Sequence, residues 1–207
     1  MAKILLINSS PNEHGCTAAA LDELSAALTK NGVEAETLWL GKAPISDCIA
    51  CRGCYKTGRC AIDDKVNTVI DRLDQFDGIV AGTPVYYGSA SGRICSFLDR
   101  IFYAAGDRMA GKLGAAVVSC RRAGATAAFQ RLNMYFGISN MLTVGSQYWN
   151  EVHGLTAEDV RKDIEGLQTM RSLGENIAWT VKSIEAGRKS GVPAPKYEQR
   201  VSTNFIR

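Results

Sequence analysis

The chain has 207 residues, 46% hydrophobic and 22% charged, which describes one globular domain whose core needs no covalent staples. Its net charge of +3, without a basic block, argues against nucleic-acid binding, and no apolar stretch approaches the ~18 residues of a membrane span. The apolar run after Met1 is too short for a signal peptide, and seven cysteines make an odd set for a disulfide framework, so reduced thiols and a cytoplasmic protein are expected.

Lys3 to Asn8 (KILLIN) reads as a strand buried on both faces. A loop from Ser9 follows, and Thr17 opens a helix over Ala18 to Lys30 that Asn31-Gly32 stops. Val33 to Leu40 is a second strand. A cysteine-rich insertion follows over 46–62, and then a helix over Lys65 to Gln75 with Asp63 and Asp64 as caps. Gly78 to Thr83 is a third strand. Pro84 to Ser91 is a loop, and a helix runs through Arg93, Phe97, Leu98 and Ile101. Leu113 to Ser119 is a fourth strand, with a helix over Ala125 to Phe136. Met141 to Ser146 is a fifth strand, and one long helix covers Ala157 to Ala186. The domain is expected over 1–187, and residues 188–207 form a polar, extended tail.

Strands alternating with helices predict a parallel sheet covered on both faces. Five such units fit the flavodoxin-like doubly wound order 2-1-3-4-5. In that order the ligand sits at the carboxyl ends of the central strands. The loops after the first, third and fourth strands meet there.

In the first loop, Ser9, Ser10, Asn12, Gly15, Cys16 and Thr17 lie between a buried strand and a helix N-terminus. Such a place favours an anion. The loop lacks both the Gly-x-Gly-x-x-Gly fingerprint and the Gly-Lys-Ser/Thr of a P-loop, which weakens a dinucleotide or ATP reading, whereas a phosphate monoester such as that of FMN needs no lysine. A plain capped helix start would look similar. In the third-strand loop, Pro84, Val85, Tyr86, Tyr87 and Gly88 offer an aromatic and backbone platform for an isoalloxazine ring. The same tyrosines would equally cover a sheet edge. Ser119, Arg121, Arg122 and Gly124 bring two guanidiniums to that edge, suited to a ring or to the phosphates of a nicotinamide donor, or simply solvated.

Cys48, Cys51, Cys54 and Cys60 follow C-x2-C-x2-C-x5-C. Three readings stand open: a 4Fe–4S cluster, metal-free thiols and zinc. Cys16, Cys95 and Cys120 are isolated and read as small packed residues. His14 and His153 are the only histidines, with His153 in an aromatic loop placed after the last strand. No hydrolase constellation is present, and no catalytic acid or base is expected, because the flavin itself carries hydride chemistry.

The Ser-Ser-Pro…Gly-Cys-Thr loop, the Thr-Pro-Val-Tyr-Tyr-Gly-Ser loop with Phe97-Leu98-Asp99-Arg100, and the cysteine insertion together resemble the NADPH-dependent FMN reductase family. The cysteine run is similar to that of its iron–sulfur flavoproteins. Asn12 and Cys16 depart from the Arg and Asn frequent there. The resemblance implies FMN as cofactor, a nicotinamide or ferredoxin-type electron donor such as NAD(P)H, and a homodimer or homotetramer whose subunit interfaces complete the flavin sites. The expected function is an FMN-dependent oxidoreductase. Its alternatives are a cluster-free NAD(P)H-dependent FMN or quinone reductase and a non-enzymatic electron carrier.

Overall fold

The structure, a computed structural model, describes residues 1–199, 201–203 and 205; Arg200, Asn204, Ile206 and Arg207, part of the expected tail, lie outside the described residues. The element order is β1 (Lys3–Asn8), α1 (Cys16–Lys30), β2 (Glu34–Trp39), α2 (Cys54–Thr57), α3 (Lys65–Arg72), β3 (Gly78–Tyr86), β4 (Ser89–Ala90), α4 (Gly92–Ala105), β5 (Leu113–Cys120), α5 (Ala125–Ile138), β6 (Leu142–Thr143), β7 (Glu151–His153), α6 (Ala157–Lys162) and α7 (Ile164–Lys189).

The sheet runs β2-β1-β3-β5-β6 with every one of these neighbours parallel, and β7 also pairs with β5. Setting aside the small β3–β4 hairpin, this is the flavodoxin-like 2-1-3-4-5 order. The central strands are apolar because both their faces are covered. On one face α1 and α7 pack through Leu21, Leu24, Leu28, Met170, Leu173 and Ile177. On the other, α3, α4 and α5 bury Ile70, Phe97, Ile101, Leu132 and Phe136. Each such side chain contributes about 1.5–3 kcal/mol by leaving water.

Three expectations are corrected. The fifth strand does not run through Met141–Ser146. Its place at the sheet edge is split: β6 pairs with Leu113 and Gly114, and β7 pairs with Val118 to Cys120. Between them residues 144–150 loop outward, held to α7 where Asn176 Nδ2 donates to Gly145 O at 2.8 Å. His153 therefore belongs to a strand, and the aromatic pair Tyr148-Trp149 lies before it.

The long last helix breaks at Asp163, whose backbone leaves the helical region at φ −77°, ψ 78°. Its carboxylate accepts from Gly166 N at 2.9 Å, capping α7, and from His153 N at 2.7 Å. Finally, Pro84–Ser91 is not an open loop. β3 continues to Tyr86 and returns as β4 through a two-residue turn at Tyr87-Gly88, in which Tyr87 takes φ 59°. A tyrosine in that region is strained.

Candidate functional site

At the carboxyl ends of β1, β3 and β5 lies a cavity of about 670 Å³. Its floor is the 9–15 loop and the start of α1. Asn8, at the end of β1, shapes that loop: its Nδ2 donates to Glu13 O and its Oδ1 accepts from Ser10 N, both at 3.0 Å. Trp39 Nε1 donates to Ser10 O at 2.8 Å from the end of β2. These bonds occupy the carbonyls of the loop. The N-cap of α1 is Gly15, which has no side chain to offer, and the first turn carries no acidic residue. The opening N–H groups of α1 have no intrahelical carbonyl to pair with and face a region of positive dipole. That is the donor set a phosphate needs.

Of the residues expected here, Ser10, Asn12, Gly15, Cys16, Thr17, Pro84, Val85, Tyr86, Ser119 and Arg121 line the cavity. Five lie elsewhere. Ser9 is fully buried and its hydroxyl donates to Gly82 O at 2.8 Å, tying β1 to β3 from below. Tyr87 and Gly88 form the exposed tip of the hairpin. Arg122 is exposed beyond the rim. Gly124 sits at φ 88°, where a Cβ would meet Val85 Cγ1 at 2.9 Å and Gly88 Cα at 3.0 Å; it lets the β5 loop close against the hairpin.

Thr17 is buried, and its hydroxyl is bonded to Ser119 Oγ at 2.8 Å, joining α1 to β5 in the floor of the cavity rather than capping the helix. Cys16 Sγ donates to Gly154 O at 3.6 Å, and burial pushes its thiol up. Burial does the same to Cys120. Neither is poised as a nucleophile. His14, Trp39, Lys42, Leu155 and Thr156 also line the cavity, of which only His14 was singled out in the sequence, and Pro11, Glu13, Cys120 and Gly154 complete the wall, so one acidic residue borders the same space. Lys42 follows β2, and its loop is drawn in by Arg93, which donates to the carbonyls of Gly41, Lys42 and Ala43.

A second cavity, of about 370 Å³, receives Cys48, Cys51, Cys54 and Cys60 together. The insertion that carries them runs down α4. Arg93 holds the loop that leads into it, Ser96 Oγ donates to the Asp47 carboxylate, and Arg100 reaches Ser46, Cys60 and Ile62. These three residues, at i, i+3 and i+7, share one face of the helix. One turn on, Cys54 Sγ donates to Tyr103 O at 3.6 Å.

Asn67 on α3 holds Cys60 at both backbone groups: its Oδ1 accepts from Cys60 N and its Nδ2 donates to Cys60 O, each at 2.9 Å. Between the cysteines, Ala50 and Arg52 adopt φ of 54° and 57°. Positive φ is uncommon for residues with a Cβ, and two such positions either side of Cys51 mark a sharply turned backbone. All seven cysteines are free thiols. Burial, and then the neighbouring Cys48, Cys51 and Cys60, hold the Cys54 thiol above its ordinary range. Among the described residues no three His, Cys, Asp or Glu side chains stand close enough to hold one metal ion. A tetrahedral zinc needs sulfurs roughly 3.8 Å apart, given 2.3 Å bonds. The four thiols share the chamber without forming a closed single-ion site. Among the described residues, no helix is long and apolar enough to cross a membrane.

Sheet order and the cavity at the strand ends define a flavodoxin-like α/β protein. Its fold matches the flavodoxin WrbA-like protein from Agrobacterium tumefaciens with a TM-score of 0.63 at 16% identity, covering 88% of this chain and 99% of that one.

The chain belongs to the NADPH-dependent FMN reductase family, whose profile matches residues 2–155. Within the family it is similar to iron–sulfur flavoproteins. It is 31% identical over 191 residues to one from Methanocaldococcus jannaschii, covering 88% of this chain and 99% of the relative. It is 29% identical over 202 residues to one from Archaeoglobus fulgidus, covering 91% and 100%. Family membership makes the chain a flavoprotein oxidoreductase of the FMN class.

Proposed function

We propose that this protein binds FMN in the cavity at the ends of β1, β3 and β5, accepts electrons there from a nicotinamide donor, and holds a 4Fe–4S cluster in the cysteine chamber for one-electron exchange. The observation that carries the FMN assignment is the uncapped start of α1 opening onto that cavity. When bound, FMN supplies two-electron hydride chemistry and single-electron transfer, and the cluster supplies the latter alone.

The chain's own groups bind and orient. The N–H groups after Gly15 receive the phosphate, and the Thr17–Ser119 pair fixes their position. Val85 and Tyr86 flank the space for the ring, while Arg121 and Lys42 place positive charge at the rim, where the phosphates of a nicotinamide would rest. Cys48, Cys51, Cys54 and Cys60 are the cluster ligands in this reading. Four thiols in one chamber and the iron–sulfur relatives support it. The second reading is an NAD(P)H-dependent FMN or quinone reductase without a cluster, in which the four cysteines remain free thiols. Seven free thiols suit a reducing compartment such as the cytoplasm.

An anaerobic titration with NADPH and then NADH, followed at the flavin absorption band, tests the donor. Rapid bleaching by one of them is expected. Bound FMN that neither nucleotide reduces would leave an electron carrier in place of a reductase.

A further inference from the structure

Arg100 is the largest fully buried side chain among the described residues, and all five of its N–H groups are occupied. Two donate to the Asp64 carboxylate at 2.7 and 2.9 Å. Two reach the carbonyls of Ser46 at 3.3 Å and Ile62 at 2.8 Å. The fifth, on Nε, donates to Cys60 Sγ at 3.2 Å. The carboxylate and the two carbonyls fasten the insertion to α4 with four of the five N–H groups, and the remaining buried Nε–H takes a sulfur as its acceptor. The bond to sulfur is made to the one cysteine whose backbone is clamped on both sides by Asn67. Cys48 and Cys51, by contrast, are exposed.

We propose that Arg100 is a positioning residue that raises the reduction potential of the cluster through its N–H···S bond to Cys60. The inference rests on the cluster reading above. Adding one electron to a thiolate-bound cluster adds one negative charge, part of it carried by the ligand sulfurs. A donor fixed on one of those sulfurs stabilises the reduced form more than the oxidised form, and hydrogen bonds to sulfur are among the main levers on such potentials. Asp64 offsets the guanidinium charge, so the directed bond rather than the bare charge is the lever. Burial keeps water from competing with it.

The test is a redox titration of the anaerobically reconstituted full chain, with dithionite as reductant and mediators present. The cluster and flavin couples are read separately by low-temperature EPR and by absorption. Arg100→Lys keeps the charge but lacks the planar fork that reaches Asp64 and Cys60 at once. Its cluster potential is expected to fall while the FMN potential stays put, because Arg100 does not line the flavin cavity.

Asp64→Asn loosens the same clamp but leaves the Nε donor, and it removes a nearby negative charge; its cluster potential is expected to rise. Opposite signs for the two variants distinguish tuning from fastening, since a mere fastener loosened at either end shifts both the same way. Should Arg100→Lys fail to fold, the wild-type chain refolded and reconstituted in D2O gives the second readout. Its Fe–S stretch in resonance Raman is expected to shift relative to protein prepared in H2O. A loaded Arg100→Lys with unchanged potential, or shifts of one sign in both variants, or an unshifted stretch, overturns this proposal alone. A wild-type chain that takes up no iron and sulfide overturns it together with the cluster reading.

Discussion

Gly124 is the sharpest single point at which the fold and the flavin cavity can be tested together. Alanine there must hold φ 88°, a left-handed conformation costing about 1–2 kcal/mol for a residue with a Cβ. The new methyl would stand 2.9 Å from Val85 Cγ1 and 3.0 Å from Gly88 Cα. The second contact is backbone, so relief requires the β3–β4 hairpin and the β5 loop to part, an overpacking cost of about 1–3 kcal/mol. Loss of glycine's freedom in the unfolded chain returns roughly 0.4–1 kcal/mol. The net expectation for Gly124→Ala is a destabilisation of about 1–4.5 kcal/mol, a fall in the urea midpoint of about 0.5–2 M for a slope near 2 kcal/mol per M. Because Val85 and Arg121 of the β5 loop both line the cavity, FMN affinity should fall as well. Equilibrium urea unfolding followed by tryptophan fluorescence, with FMN titration by flavin quenching, measures both. A variant within about 0.5 kcal/mol of wild type and with unaltered FMN affinity would show that the close approach read here does not exist.

Thr17→Val keeps the shape of the side chain and removes its hydroxyl, leaving Ser119 Oγ without its partner; a loss of about 1–2 kcal/mol in stability and weaker FMN binding are expected, and calorimetry showing no change in either refutes the role. Glu36 is pulled down to about 2, first by its bond to Arg72 and then by Lys3. A depressed carboxylate contributes stability above its unfolded value near 4.5, and that contribution is lost as pH falls toward 2. Solvent screening at this surface pair leaves roughly 1 kcal/mol, so Glu36→Gln should flatten the acid limb of a stability–pH curve between about pH 4.5 and 2, and an unchanged limb contradicts it. The exposed Tyr148 and Trp149 on the 144–150 loop form the apolar surface expected to be covered in a homodimer or homotetramer; light scattering should show an oligomer whose FMN affinity drops on dilution, whereas a monomer binding FMN equally well removes the idea.

The sheet was legible because its strands are short apolar runs between turn residues, and Lys3–Asn8 shows the pattern without ambiguity. What periodicity misses is set by contacts distant in sequence. Asp163 looks like one more polar position on a helix; its carboxylate bond to His153 N, ten residues back, is what breaks the helix. The fifth strand divides between β6 and β7, and the loop that joins them is bonded to α7 through Asn176, a contact that no local pattern announces. At the site, Thr17 reads as a helix cap from its neighbours, but β5 brings Ser119 within reach and takes its hydroxyl. The cysteine spacing announced a cluster of thiols, while their anchor was hidden. Arg100 stands in a helix whose Ile94, Phe97, Leu98 and Ile101 are buried, and a lone cation beside such a stripe was the available signal.

The central claim, one FMN and one 4Fe–4S cluster on each chain, is tested most directly by flavin, iron and sulfide analysis of the anaerobically reconstituted protein. The account predicts one heat-released FMN with about four iron and four sulfide per chain, and loss of iron and sulfide with retained FMN when Cys60 is changed to Ser. FAD, zinc, or FMN without iron in the wild-type chain would contradict it.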